Sequence, residues 1–86
     1  MPRVSSFYGI VIEMYFNDHP PPHFHARYSG KVAKIEIATG AVIAGQLPRT
    51  ALRLVREWVT EHRTELEENF ERVEREQRPT KIAPLP

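Results

Sequence analysis

The stretch HFHARYSGKVAKIEI, residues 23–37, decides the fold of this chain. Apolar and polar side chains alternate in both halves of it, which is the pattern of strands with one buried face. A two-residue turn at Ser29-Gly30 predicts that the two halves form an antiparallel hairpin. The predicted register sets Phe24 opposite Ile35, Ala26 opposite Ala33, His25 opposite Lys34 and His23 opposite Glu36.

The same alternation predicts what each face of the hairpin carries. The buried face holds the more apolar side chains, namely Phe24, Ala26 and Tyr28. The opposite face, which we expect to point away from the core, holds His23, His25 and Arg27. Two imidazoles and a guanidinium therefore share one polar surface.

Further strands are predicted on both sides of the hairpin. Residues 9–16 are rich in β-branched and aromatic side chains, which favour a strand. On the other side, a short loop over residues 38–40 predicts that Ile43 lies opposite Ile35, in a last strand that ends near Gly45.

The pattern changes to that of a helix from Pro48 onward. Apolar residues then recur at helical spacing, at Leu52, Val55, Val59, Leu66, Phe70 and Val73. A continuous helix over 49–77 would be roughly 43 Å long, which exceeds the width of a compact domain of this size. The segment Thr64-Glu65-Leu66-Glu67 has the form of a capping box, so a break near Thr64 is the alternative.

These elements predict an α+β fold, in which a small antiparallel meander of three to four strands is followed by a C-terminal helix. The helix is either continuous or broken near Thr64. We expect a single domain over residues 1–78 and a flexible C-terminal arm over residues 79–86.

The composition excludes several kinds of site. The 86 residues include no cysteine, so a metal ion would need His, Asp or Glu ligands, and thiol nucleophiles are excluded. The net charge of +1 permits contact with nucleic acid but does not demand it. No apolar run approaches the roughly 20 residues that cross a bilayer, and we expect a cytoplasmic protein without a membrane partner.

Three of the four histidines fall in DHPPPHFH, residues 18–25, around a stiff triple proline. One interpretation is a divalent metal site, with His19, His23 and His25 as ligands and Asp18 as a further candidate. Arg27 and Lys34 on the same predicted face argue against it, because cations repel a metal ion. No other cofactor is indicated.

A second interpretation is acid–base chemistry on RNA without a metal. In this case His23, His25 and Arg27 are the catalytic residues, and Lys34 holds a phosphate group. A plain alternative is that the polar face is only the solvated side of a half-buried sheet, with His23 paired with Glu36.

Three arginines near the start of the helix, Arg49, Arg53 and Arg56, form one stripe and are further candidates for binding nucleic acid. Positive charge near a helix amino terminus opposes the helix dipole, which indicates a role other than helix stability. Ion pairs with Glu57, Glu61 or the tail are the alternative. Trp58, at the edge of the apolar helix face, is expected to close the core, and a role in anchoring a partner is its alternative.

The segment Met14–Tyr28, with its core Pro21-Pro22-His23-Phe24-His25, and the later segment Ala51–Trp58 carry a family resemblance. They resemble a small bacterial family, the domain-of-unknown-function family 4160, over nearly the whole chain. The resemblance implies a toxin-antitoxin role that affects RNA or transcription, and a small partner protein encoded nearby. The family provides no established catalytic residues.

The leading functional prediction is therefore a toxin-antitoxin-like protein that acts on RNA by histidine-based acid–base chemistry. The alternative is a non-enzymatic protein-interaction or regulatory module, with a His-ligated metal site in one variant. Such a module would bind a partner protein, or a second copy of itself, through the C-terminal helix.

Overall fold

A computed structural model describes residues 2–86 of the chain. Within these residues the elements are β1 (Arg3–Phe7), β2 (Ile10–Glu13), β3 (His23–Tyr28), β4 (Lys31–Glu36), β5 (Val42–Gly45) and α1 (Arg49–Glu74). The strands form one antiparallel sheet in the order β1-β2-β3-β4-β5. The predicted α+β meander followed by a C-terminal helix is confirmed, with five strands instead of three to four.

The additional strand is β1, which precedes the segment predicted as a strand from the sequence. Tyr8 and Gly9 both have positive φ, 50° and 80°, and they reverse the chain so that Phe7 lies opposite Ile10. The strand sequence RVSSF alternates poorly, because two serines occupy its middle. Its strand character comes from pairing with β2, which local sequence does not reveal.

The β3–β4 hairpin has the register that the sequence predicts. His23 lies opposite Glu36, Phe24 opposite Ile35, His25 opposite Lys34 and Ala26 opposite Ala33. Ser29 and Gly30 form the turn with φ of 49° and 81°, as a two-residue turn of the primed type requires. The register is confirmed.

The predicted pairing of the last strand is wrong by one residue. Ile35 lies opposite Val42 and not opposite Ile43, because the β4–β5 register shifts between Lys34 and Ile35. Ile43 consequently points outward and is 43% exposed. Irregularities of this kind add one unpaired residue to a strand, and the alternation of side chains alone does not predict them.

The core lies between one face of the sheet and α1, with Trp58 at its centre. The Trp58 side chain is fully buried, and its ring centroid lies 5.3 Å from that of Phe7 and 5.8 Å from that of Phe24. Phe24 and Ala26 are buried there, as predicted for this face of β3. The predicted role of Trp58 in closing the core is confirmed.

The helix α1 continues through the predicted capping box at Thr64, but it bends two residues earlier. Its backbone leaves helical geometry at His62, where φ is −125° and ψ is 23°, two residues before Thr64. A straight helix of 26 residues would be about 39 Å long, whereas the longest dimension of the domain is 33 Å. Both halves of α1 contribute buried side chains to the core, Ala51, Val55 and Trp58 before the bend and Leu66, Phe70 and Val73 after it. Among residues 2–86 there is no helix with the length and apolar character needed to cross a membrane.

Residues 79–86 lie against the domain, where the sequence led us to expect a flexible arm. The Ile82 amide donates to the Val4 carbonyl at 2.8 Å, and the Ile82 side chain is only 3% exposed. The indole nitrogen of Trp58 donates to the carbonyl of Ala83 at 2.8 Å. The carboxy-terminal segment therefore covers β1 and satisfies the buried indole donor.

A buried amide in α1 holds the start of this segment. The Asn69 side chain is fully buried, and its Nδ2 donates to the Thr80 carbonyl at 2.8 Å. The Asn69 Oδ1 accepts from the Thr80 amide at 2.9 Å. The sequence carries a signal for this contact, because Asn69 is a polar residue on the apolar face of the helix and a buried amide needs hydrogen-bond partners.

The packing of the carboxy-terminal segment predicts that Ile82→Ala is destabilising. The substitution removes a buried aliphatic side chain, and we expect the free energy of unfolding to fall by about 2–4 kcal/mol. Arg78→Ala removes an exposed side chain just before the segment and should change the free energy of unfolding by less than about 0.5 kcal/mol. Urea unfolding followed by Trp58 fluorescence measures both, and equal effects would show that the segment is not packed in solution.

The backbone at the end of β5 accommodates only glycine at position 45 without strain. Gly45 has φ of 75°, and a Cβ there would overlap the Val32 carbonyl oxygen of β4. Gly30 has a similar φ of 81° but nothing within 4 Å of its Cβ position. We expect Gly30→Ala to cost roughly 1–2 kcal/mol from backbone strain alone, and Gly45→Ala to cost about 3 kcal/mol or more. Similar losses in urea unfolding would contradict this.

Candidate functional site

The candidate site forms where the loop between β2 and β3, residues 14–22, crosses the start of β3. Backbone hydrogen bonds hold both ends of this loop: the Met14 amide donates to the Pro2 carbonyl at 3.1 Å, and the Pro22 carbonyl accepts from the Ile37 amide at 3.0 Å. In its middle the Asn17 amide donates to the Val73 carbonyl of α1 at 3.0 Å. The loop thereby places Asp18 against the histidines of β3.

His23 lies deep in this site and not on a solvated surface. Only 1% of the residue is exposed, and its ring centroid lies 5.7 Å from that of Phe70. The expectation that His23 faces solvent is wrong, because the loop and the end of α1 cover the first residue of β3. Glu36 is its neighbour in register, but the imidazole contacts Asp18.

The proton on His23 is fixed by the backbone. Its Nδ1 lies 2.7 Å from the Pro21 carbonyl oxygen. A carbonyl oxygen can only accept, so Nδ1 carries the hydrogen and donates it. The other ring nitrogen, Nε2, is then the atom that faces the site. This is the orientation in which a backbone carbonyl holds a metal-ligating imidazole.

The Nε2 atom of His23 is buried and has no hydrogen-bond partner among the described residues. It lies 2.8 Å from Asp18 Oδ2, a distance typical of an ion pair, but off the direction that a hydrogen bond requires. A lone pair and a carboxylate oxygen repel each other at this distance unless a positive charge lies between them or on the ring. A proton on Nε2, which would make the contact an ion pair, or a cation between the two atoms would remove this repulsion.

His25 brings a second imidazole to the same carboxylate oxygen. Its Nε2 lies 3.3 Å from Asp18 Oδ2, and its ring stacks on Tyr15 with centroids 4.0 Å apart and an interplanar angle of 12°. Burial lowers the pKa of His25, while the Asp18 carboxylate raises it in part and His23 and Lys34 lower it further. The net lowering favours the neutral imidazole, which has a lone pair for a proton or a metal.

Asp18 is the shared partner of both histidines. Its partial burial raises the pKa of the carboxyl, but the charge of His23, the hydrogen bond and charge of His25, and the hydrogen bond from the His19 amide lower the pKa by more, so the net shift is downward. Asp18 therefore stays ionised at neutral pH. One negative charge faces two imidazole nitrogens.

Asp18, His23 and His25 have the geometry of a metal-ligand group. Their ligand atoms all lie within 4.8 Å of one another. Ligands held at about 2.1 Å from a tetrahedral ion lie about 3.4 Å apart. The 3.3 Å separation of His25 Nε2 from Asp18 Oδ2 is close to this, and the 2.8 Å separation of His23 Nε2 is shorter. A carboxylate with two imidazoles suits zinc or iron(II), and it leaves coordination positions open.

His19, which the sequence analysis included among the ligands, lies outside this cluster. Its side chain is exposed, and its backbone amide points to Asp18 Oδ1 at 3.2 Å. The cluster therefore uses Asp18 where the sequence suggested His19. Tyr15 was not singled out from the sequence, because nothing in its local pattern indicates a stack on His25.

Arg27 and Lys34, the two cations predicted on the same face as His25, have different surroundings. The guanidinium of Arg27 lies 3.3 Å from Glu13 Oε1 across the β2–β3 pair. Lys34 lies opposite His25 and forms no ion pair within the described residues. A shallow depression of about 280 Å³ opens beside it, lined by His25, Val32, Lys34, Ala44 and Gly45.

The arginines of α1 do not share this surface. They line a separate depression of about 350 Å³ whose walls are Arg49, Leu52, Arg53, Arg56, Glu57 and Thr60. Arg53 pairs with Glu57 at 3.2 Å, and Arg56 donates to the Gly40 carbonyl at 3.0 Å. Because Lys34 alternates with the buried Ala33 and Ile35, it points to the face of the sheet opposite α1. The predicted nucleic-acid residues are thus divided between two sides.

Comparison with known proteins gives a family match. The family model described as "Domain of unknown function (DUF4160)" matches residues 9–71. That range runs from the turn before β2 into the second half of α1, and it contains the whole Asp18, His23 and His25 cluster. No curated protein and no solved structure matches the chain.

Proposed function

We propose that this chain, which belongs to the DUF4160 family, binds a divalent transition-metal ion through Asp18, His23 and His25 and acts as a metal-dependent regulatory module. The observation that supports this most strongly is the buried Nε2 of His23, which faces Asp18 without a hydrogen-bond partner. A bound ion would satisfy this atom.

The surroundings of the three ligands support the proposal. The Pro21 carbonyl orients His23, and the Tyr15 ring orients His25, so both imidazoles are held before an ion arrives. The ionised Asp18 supplies a negative charge that offsets the repulsion from Lys34. Three protein ligands leave at least one position for water or another ligand, as in catalytic and regulatory zinc sites.

A bound ion would also connect parts of the chain that are distant in sequence. Asp18 belongs to the loop over residues 14–22, whereas both histidines belong to β3. Metal binding would therefore add to the backbone hydrogen bonds that hold the loop over the sheet, and loss of metal would weaken this attachment. Such a change alters the surface that a partner protein meets. A partner encoded nearby, and self-association through α1, stay predictions.

Acid–base chemistry on RNA is the second candidate, and one observation favours it. The lowered pKa of His25 keeps its imidazole neutral, and Lys34, which forms no ion pair among residues 2–86, lies opposite it in the sheet. In this scheme His25 takes the proton of a 2′-hydroxyl, whose oxygen bonds to the phosphorus as the bond to the 5′-oxygen breaks. The leaving 5′-oxygen takes a proton from water, and Lys34 neutralises charge on the phosphate. His23 is too deeply buried to reach RNA, so its role is to position Asp18.

The metal proposal predicts the zinc content of purified protein. After dialysis of untagged protein against Zn²⁺ and then against metal-free buffer, we expect about one equivalent of zinc by elemental analysis. Asp18→Ala and His25→Ala should retain less than about a tenth of an equivalent, because each removes a ligand. Circular dichroism would show that both variants are folded.

Two other histidines provide matched controls for this measurement. His19→Ala removes an exposed imidazole next to Asp18, and His62→Ala removes one that pairs with Glu65 on α1. Both variants should bind as much zinc as the wild type. A folded wild type without zinc, or a loss of zinc in His19→Ala equal to that in His25→Ala, would refute the proposed ligand set.

The second candidate is tested with defined RNA, with and without EDTA. Metal-free chemistry predicts cleavage by the wild type that EDTA does not inhibit and that His25→Ala abolishes, with His19→Ala as the control. Cleavage that EDTA abolishes would assign the reaction to a bound metal. A folded wild type that cleaves no RNA under either condition would leave the regulatory module as the function.

A further inference from the structure

The proposed metal site does not explain the depression beside His25. One of its walls is His25, so it adjoins the Asp18, His23 and His25 cluster directly. Another wall is Lys34, which faces His25 in the β3–β4 register. A ligand in the depression would therefore meet both a metal ligand and an ammonium group.

The backbone of β5 keeps this space open. Ala44 lies opposite Lys34, and its side chain is too small to cover the lysine. At Gly45, β5 approaches β4 so closely that a Cβ would overlap the Val32 carbonyl oxygen. Two small residues in succession thus form the floor beside Lys34, and any larger side chain at position 45 would disturb it.

The charges of this surface identify the kind of ligand. The acids on the same face already have partners, since Glu13 pairs with Arg27 and Glu36 accepts a hydrogen bond from Thr39 at 2.6 Å. Within residues 2–86 the Lys34 ammonium has no ion pair, and its charge would add to that of a metal ion at the neighbouring cluster. An anion between them would offset this repulsion.

We propose that the depression lined by His25, Lys34 and Gly45 binds a phosphate group that bridges the metal ion and the Lys34 ammonium. This inference rests on the proposed metal site. A phosphate has several oxygens, so one can complete the metal coordination while another accepts from Lys34. The depression is shallow and open to solvent, so the same phosphate can belong to a free ion or to a link in an RNA chain.

Isothermal titration of zinc-loaded protein tests the proposal, with zinc content measured on the same sample. We expect inorganic phosphate to bind the wild type and to bind Lys34→Met at least about tenfold more weakly, because a charge-assisted hydrogen bond is lost. Lys34→Met should keep its full equivalent of zinc. Lys31→Met, at the hairpin turn of the same strand, is the matched control and should bind phosphate as the wild type does.

Titration with a short oligoribonucleotide distinguishes the two sources of phosphate. Binding at least about tenfold tighter than that of inorganic phosphate, and weakened in Lys34→Met, would identify RNA as the source. Equal affinities would identify free phosphate.

The outcomes also separate this inference from the metal proposal. A zinc-loaded wild type that binds no phosphate would overturn the phosphate site and leave the metal site standing. A wild type that holds no zinc would overturn both. Phosphate binding that is equally tight in zinc-free protein, or unchanged in Lys34→Met, would overturn the bridging arrangement.

Discussion

The register of the β3–β4 hairpin determines both the core and the candidate site. Successive residues of a strand point to opposite faces, so the pairing of Phe24 with Ile35 directs both side chains into the core. The same pairing places His25 and Lys34 together on the other face. A slip of β3 by one residue would turn Phe24 to the outer face and His25 toward the core, and the turn at Ser29-Gly30 prevents it. Packing and chemistry therefore depend on the same hydrogen-bonded ladder.

Features that depend on the local alternation of side chains could be predicted from the sequence, whereas features that depend on contacts between distant residues could not. The hairpin register, the α+β order and the position of Trp58 all follow from alternation and helical spacing. The burial of His23 does not, because the cover comes from a loop and from Phe70, which lies 47 positions later. The packing of residues 79–86 likewise depends on Asn69, whose buried amide finds its partners eleven positions away.

Part of the candidate site could also be predicted from sequence. The spacing of His23 and His25 places both on one face of a strand, and the structure brings Asp18 to both of them. Sequence alone could not choose between Asp18 and His19, since adjacent residues in a loop can point either way. The choice depends on the path of residues 14–22, which the Asn17 hydrogen bond to Val73 helps to fix. That contact joins the loop to α1 and is not visible in either local sequence.

The energetics of His23 are the basis for the proposal that this cluster binds a metal ion. A buried polar atom without a hydrogen-bond partner costs about 1–3 kcal/mol, and Nε2 of His23 is such an atom. A purely structural contact would gain from a small rotation that aligned Nε2 with Asp18. However, the hydrogen bond from Nδ1 to the Pro21 carbonyl fixes the ring in its present orientation. Sequences violate local rules of this kind mainly at functional sites, where a ligand supplies the missing interaction. A proton on Nε2 would turn the contact with Asp18 into an ion pair, and the proposed metal ion would satisfy the same atom together with Asp18 and His25.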